Sequence, residues 1–282
     1  MQQNQIEQAK QFIKEADAVL ITAGAGMGVD SGLPDFRGNK GFWKEYPVIA
    51  SLNLNFEEMA NPKWFEENPS LAWAFYGHRL NLYRDTVPHE GFQMLLNLVK
   101  TKNNDYFVYT SNVDGQFQKA GFSSEKIVEV HGSIHYFQCS KNCKKEIWKA
   151  DNQRIEIDMD KFKALTIPQC KFCEAVARPN ILMFGDWSWN GSKSKKQEDR
   201  FHNWMQTIKK SKKSLAIIEI GAGTTIPTIR NSGEKFAKNK RNMKLIRINP
   251  RDFYISKYVG WSIPYGAVEG LKKLLSSKTN KF

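Results

Sequence analysis

At 282 residues the chain can form one large domain, or one domain carrying an insertion. Its 41% hydrophobic and 25% charged residues describe an ordinary globular protein, and no apolar run is long enough to span a membrane. The formal charge of +13 admits anionic partners, but the excess sits in KKSKK at 209–213, SKSKK at 192–196 and the C-terminal stretch. No aromatic stripe interleaves with these lysines, so they read as solvated loops rather than a nucleic-acid site.

The first stretch, MQQNQIEQAKQFIKEADAV, is polar and lacks the form of a secretory signal, which makes an intracellular, cytoplasmic location the expectation. Ile6, Ala9, Phe12, Ile13 and Ala16 recur at helical spacing and predict a helix packed on a sheet. The apolar run AVLI at 18–21 then leads into Gly24, Gly26 and Gly28. That pattern predicts a strand feeding a tight turn, where glycine lets backbone N–H groups approach a phosphate. The spacing differs from the dinucleotide fingerprint, because G-x-G is followed by x-G. Next comes GLPDFRG, in which Pro34 stiffens the backbone and Asp35, Phe36 and Arg37 supply acid, aromatic and base. A cradle followed by such a loop points to a nucleotide that is held and also worked on.

Strand-like runs follow at 106–110, 127–130, 181–184, 215–220 and 244–248, with helical stretches between several of them. This is the α/β pattern of a parallel sheet covered by helices on both faces. Such folds carry their sites at the carboxyl ends of the strands. Those ends here read TAGAG, TSNVD, VHG, FGD, IGAGTT and INP, so every candidate motif is expected on one rim. Two stretches interrupt the alternation. Residues 38–98 are aromatic and helical in character, and residues 132–178 hold every cysteine, so the two together predict a smaller second domain.

Within the first insertion, Tyr76 and Arg79 lie three apart on one helix face. The plainer reading is an aromatic anchor beside a solvated arginine. At the second strand's end Asn112 and Asp114 are two apart, so one face of an extended segment can present both. His131 ends the third strand, and Gly132 allows a sharp exit; a histidine there is the natural proton acceptor near neutral pH. His78, His89, His135 and His202 have no comparable setting. The cysteines form a C-x-x-x-C pair, Cys139 and Cys143, and a C-x-x-C pair, Cys170 and Cys173. Four thiolates so spaced suit a closed, tetrahedral, structural zinc rather than two disulfides.

GAGMGVDSGLPDFRG resembles the first signature of the sirtuins, the NAD-dependent protein deacylases, and the resemblance extends from about residue 15 to 270. TSNVD and VEVHG resemble the family's TQNID and ELHG, with Ser111 in place of the usual Gln. IGAGTT resembles its GTS segment, and RPNILMFGDWSW resembles the segment containing FGE, with Asp186 for Glu. The resemblance implies a Rossmann-like NAD-binding domain from residues 1–37, 99–131 and 179–282, a helical insertion at 38–98 and a zinc ribbon at 132–178. It implies NAD held by Gly24, Ala25, Gly26, Asp35, Phe36, Arg37, Ser111, Gly221, Gly223, Thr224 and Asn249. It implies His131 as general base on the ribose hydroxyls, with Asn112 and Asp114 at the nicotinamide pocket. Met183, Phe184 and Gly185 would border the acyl-lysine of a protein or peptide substrate, bound as an added strand. The products would be free lysine, nicotinamide and an acylated ADP-ribose. Sirtuins that remove succinyl, malonyl or glutaryl groups carry a Tyr-x-x-Arg pair, which Tyr76 and Arg79 match. NAD hydrolysis or ADP-ribosyl transfer in the same pocket is one alternative. A non-catalytic module that binds nucleotide or nucleic acid is the other.

Overall fold

The computed structural model describes residues 2–35, 38–151, 153–238 and 241–276; Phe36 and Arg37 lie outside the described residues. In chain order the strands are β1 (Ala18–Ala23), β2 (Tyr106–Thr110), β3 (Ile127–Glu129), β4 (Gly132–Cys139), β5 (Ile147–Lys149) and β6 (Ile157–Asp158). They continue with β7 (Lys163–Ala164), β8 (Ala177–Ile181), β9 (Leu215–Ile220), β10 (Met243–Ile248) and β11 (Gly260–Ile263).

A six-stranded sheet runs in the order β3-β2-β1-β9-β10-β11, and every neighbouring pair in it is parallel. Because side chains alternate along a strand, β1 feeds two cores at once. Val19 and Ile21 pack with Ile6 and Ile13 of the helix Gln2–Glu15, Leu95 and Val99 of Glu90–Thr101, and Leu271 of Ala267–Leu275. Ala18 and Leu20 face the other way, toward Phe201, Met205 and Ile208 of the helix Ser192–Lys210. Helices therefore cover both faces, and the chain has a Rossmann-like fold. The order of chain progression reverses between β1 and β9, the switch point where such sheets open a crevice.

Beside this sheet stands an aromatic core of different construction. The helix Pro69–Asp85 starts on the side chain of Asn68, which accepts from Leu71 N at 3.1 Å, with proline at its first turn. It is buried nearly all round, through Leu71, Trp73, Phe75, Tyr76, Leu80 and Tyr83, as befits a central helix. Its rings make edge contacts with Phe42 and Phe137. Trp73 Nε1 donates to Ala177 O at 2.9 Å, tying the helix to the three-stranded antiparallel sheet β5-β4-β8.

One strand differs from expectation. The run at 181–184 does not join the parallel sheet: β8 ends at Ile181 and pairs antiparallel with β4, and Leu182–Phe184 continue as a loop. Ile181, Met183 and Phe184 pack in the aromatic core, while Leu182 is exposed. The sixth strand of the parallel sheet is instead β11, a strand the apolar pattern did not mark, at an edge beside β10. Among the described residues no helix is long and apolar enough to cross a membrane.

Candidate functional site

The two glycine turns meet at the switch point, backbone against backbone. Gly24 N donates to Ile220 O at 3.0 Å and Gly26 N donates to Gly221 O at 3.1 Å. A Cβ on Gly221 would stand 2.3 Å from Gly26 C, and Gly221 sits at φ +64, so only glycine is comfortable there. The glycines at 24 and 26 thus commit their amides across the crevice, and their need for glycine comes from this approach of two turns rather than from phosphate alone. Asn249 holds the second turn from behind. It is fully buried, donates to Ala222 O at 3.0 Å, and accepts from Arg251 N at 3.0 Å and Asp252 N at 2.9 Å.

A cavity of about 640 Å³ opens over this junction, within the range of roughly 300–1,000 Å³ that buries a small ligand. Its wall includes Gly24, Ala25, Asp35, Ser111, Gly221, Gly223 and Thr224, whereas Gly26 and Asn249 do not line it. Small residues and hydroxyls at a crevice between two glycine turns fit a dinucleotide. Asp35 at its edge pairs with Arg251 at 3.4 Å.

The expected catalytic residues share the same cavity. Thr110 Oγ1 donates to Ala23 O at 2.8 Å and accepts from Asn112 N at 3.0 Å. Asn112 Nδ2 donates in turn to Gly24 O at 3.0 Å, so the ends of β1 and β2 are fixed against each other. Asp114 is buried; Gln116 N donates to its Oδ1 at 2.9 Å. Burial pushes its carboxyl up to about 6, and the nearby Glu129 adds to that rise. His131 is half-buried, and burial holds its imidazole below the ordinary value of about 6.5. A neutral ring at pH 7 can accept a proton. Gly132, at φ +78, turns the chain sharply after it; a Cβ there would lie 2.1 Å from Asn180 O.

The aromatic core supplies the far wall. Tyr76, Arg79, Tyr83, Met183 and Phe184 all line the cavity, and Gly185 does not. Arg79 is 7% exposed, so the solvated arginine of the plainer reading is excluded. Its Nε donates to Tyr83 OH at 3.0 Å, and its guanidinium stands 5.2 Å from the Phe75 ring centre. Burial pushes the Tyr76 phenol up to about 12, so it remains a hydroxyl donor. Tyr83 is a wall residue that no sequence motif marks, and its only signal is its place four residues beyond Arg79 on the same helix.

The loop bearing Met183 and Phe184 is clamped at several points. Leu182 N donates to His131 O at 3.0 Å, and Phe184 N donates to Ala60 O at 3.0 Å. Asp186 forms a buried ion pair with Arg178 and accepts from Ser188 N at 3.1 Å. The carboxylate of FGD therefore organises its own loop. Another departure concerns the lysine clusters. Lys193 pairs with the buried Glu129 of β3, and Lys213 pairs with Asp105 at 2.7 Å, so these two lysines fasten the helix Ser192–Lys210 and its exit.

The four cysteine Sγ atoms lie within 4.8 Å of one another, with Cys139 to Cys173 at 3.7 Å and Cys143 to Cys170 at 3.6 Å. Zinc–thiolate bonds of about 2.3 Å in a tetrahedron imply sulfur–sulfur edges of about 3.8 Å, so the cluster fits structural zinc.

The chain is 28% identical over 265 residues to an NAD-dependent protein deacylase of Aquifex aeolicus (strain VF5), covering 94% of this chain and 96% of that one. It is 26% identical over 258 residues to a probable bifunctional ADP-ribose hydrolase/ADP-ribosyltransferase of Fusarium oxysporum f. sp. cubense, covering 87% of this chain and 42% of that one. The fold matches a Sir2 homolog solved in complex with NAD at a TM-score of 0.67 and 22% identity, covering 95% of this chain and 92% of that one. A sequence model of the Sir2 family matches residues 24–225, a span that takes in both glycine turns, the Asn112–His131 rim and the four cysteines, and the chain belongs to that family.

Proposed function

We propose that the protein is an NAD-dependent protein-lysine deacylase that acts on acidic acyl groups, and on acetyl groups as well. The observation that carries this reading is a single cavity: the glycine turns, His131 and the Tyr76–Arg79 pair all border one space. Residues 1–37, 99–131 and 179–282 would form the NAD-binding domain, residues 38–98 the helical insertion that brings Tyr76 and Arg79 to the site, and residues 132–178 the zinc-binding module. Bound NAD would supply an electrophilic ribose carbon from which nicotinamide departs. His131, neutral because it is buried, accepts a proton at a ring nitrogen. Asn112, pinned to Gly24 O, and Asp114 border the same space and orient what lies between them. Met183 and Phe184 cover the acyl chain and exclude water. Arg79 brings a fixed positive charge to the end of that wall, and a fork of N–H donors matches a carboxylate. Thiols gathered as a metal site support a reducing, intracellular compartment.

The test is a panel of acetyl-, succinyl- and malonyl-lysine peptides with NAD. His131→Ala is expected to cut turnover by about 10²–10⁴-fold, and wild-type turnover falls as pH drops through the lowered imidazole pKa. Arg79→Met is expected to cut desuccinylation by roughly 10–100-fold, the worth of a charged hydrogen bond, with deacetylation little changed. Equal loss on both substrates, or on neither, removes the acidic-acyl part of the proposal. The Fusarium relative favours one second reading, ADP-ribosyl transfer or NAD hydrolysis in the same pocket. Mass spectrometry separates the two, because only deacylation yields O-acyl-ADP-ribose.

A further inference from the structure

The zinc ribbon and the loop at 182–190 are joined by a polar network that the reaction described above does not use. Its hub is Gln138 of β4, 1% exposed and next to Cys139. Gln138 Nε2 donates to Ser188 O at 2.9 Å, and its Oε1 accepts from Asn190 N at 3.0 Å and Asn180 Nδ2 at 2.9 Å. Asn142 donates from Nδ2 to the same Ser188 O at 3.0 Å. Asn142 stands inside the C-x-x-x-C pair, one residue longer than the C-x-x-C pair at 170–173. The extra residue is taken up by a left-handed turn, with Asn142 at φ +49 and its amide donating to Cys139 O at 3.2 Å. Asparagine tolerates that conformation better than most residues, and here its amide also reaches out of the ribbon.

The other end of the network is the loop that borders the cavity. Ser188 N and Oγ both donate to Asp186 Oδ1, at 3.1 Å and 3.2 Å, and Asp186 is the partner of the buried Arg178. Three residues before Ser188 the loop passes Gly185, and just before that come the cavity residues Phe184 and Met183. The network is under-filled: Arg178 Nε, Asn180 Oδ1, Trp189 Nε1 and Asn190 Nδ2 are buried without a protein partner. Gln138 makes its bonds in this low-dielectric interior, where each is stronger than in water, whereas Asn142 reaches Ser188 O from the exposed rim of the ribbon.

We infer that Gln138 and Asn142 are positioning residues, through which the metal-bound ribbon sets the conformation of the loop at 182–190 and hence the affinity for the acyl-lysine peptide. The inference rests on the deacylase reading for its kinetic readout. It makes the longer cysteine spacing a device that points a donor at the substrate loop, not a slack turn.

The test compares wild type with Asn142→Gly, which keeps the left-handed backbone and removes the donor. Zinc content, kinetic constants for peptide and for NAD, and hydrogen exchange of the amides at 182–190 are measured on the zinc-loaded protein. With zinc retained, the KM for peptide is expected to rise about five-fold, the worth of one hydrogen bond, while kcat and the KM for NAD stay within about two-fold. Exchange at 182–190 is expected to accelerate. An unchanged peptide KM with unchanged exchange overturns the inference, as does a parallel rise in both KM values, which marks a general structural role. Should Asn142→Gly lose zinc, Gln138→Met is judged by the same criteria. If wild type turns over no acyl peptide, the deacylase reading fails, and loop exchange alone decides the positioning role.

Discussion

The two walls of the cavity are built on opposite principles. The cofactor wall is backbone against backbone, with Gly24 and Gly26 pressed on Gly221 and no side chain between them. The opposite wall, proposed to face the acyl group, is made of large rings around a buried charge, with Arg79 set among Phe75, Tyr76 and Tyr83. A wall of backbone has almost no freedom to adapt, because peptide geometry is fixed. A wall of side chains can change its contacts by substitution and keep its scaffold. Under the proposed function, the contrast would separate a surface for one invariant cofactor from a surface open to tuning for different acyl groups.

The strongest way to break this contrast is to remove a ring from the acyl side. Trp73→Ala deletes a fully buried indole and its hydrogen bond to Ala177 O, and is expected to cost about 3–5 kcal/mol in denaturant unfolding. NAD affinity of the molecules that stay folded should be unchanged; a matching loss of cofactor binding would show that the two walls are not separable. Next comes the addition of one methyl group on the other side. Gly221→Ala introduces a contact of 2.3 Å at a residue with φ +64, at an expected cost of about 2–4 kcal/mol. Calorimetry with NAD should show binding weakened at least as much as folding, and normal NAD affinity would mean that the turns need not touch.

A smaller effect sharpens the comparison at the point where the walls meet. Asp114 titrates at about 6 in the folded protein and at about 3.9 when unfolded. The folded state therefore holds its proton more tightly. The stability gained from that proton is complete below about pH 4 and is lost as pH rises through 6. Asp114→Asn removes the loss, so the variant should be more stable than wild type at pH 7 by up to about 2–3 kcal/mol and equal to it at pH 4. Thermal melts across that range decide it. A gain at pH 4 as well would assign the effect to packing instead of charge. Together with reduced turnover, the expected pattern marks Asp114 as a group kept at a cost to stability.

Much of the parallel sheet and its rim was legible because local sequence carries it. Strands such as β1 and β9 are near-continuous apolar runs, each with one polar residue next to last, and that pattern marks a buried parallel strand. The cysteine cluster was legible because metal geometry demands short spacings. The fate of residues 181–184 was not, since an apolar run says that a segment is buried but not which sheet will bury it. The inward position of Arg79 depended on rings contributed by its own helix, and composition alone left it in solvent. Lys193 looked like part of a solvated cluster, and only the placement of Glu129 on a neighbouring strand gives it a partner. Asn249 and Gly26 do not line the cavity although their neighbours do, a distinction that no one-dimensional pattern contains.

The meeting of the two glycine turns also has a consequence in time. The first turn leaves the ribosome early, while the second follows β9, after most of the chain has been made. Contacts between such distant segments form late, because the intervening chain must fold before they can close. Until Gly221 arrives, the crevice has one lip. A copy cut short before β9 keeps Asn112, Asp114 and His131 but lacks the second glycine turn beside them. Both lips of the crevice are thus present only once synthesis has passed Gly221.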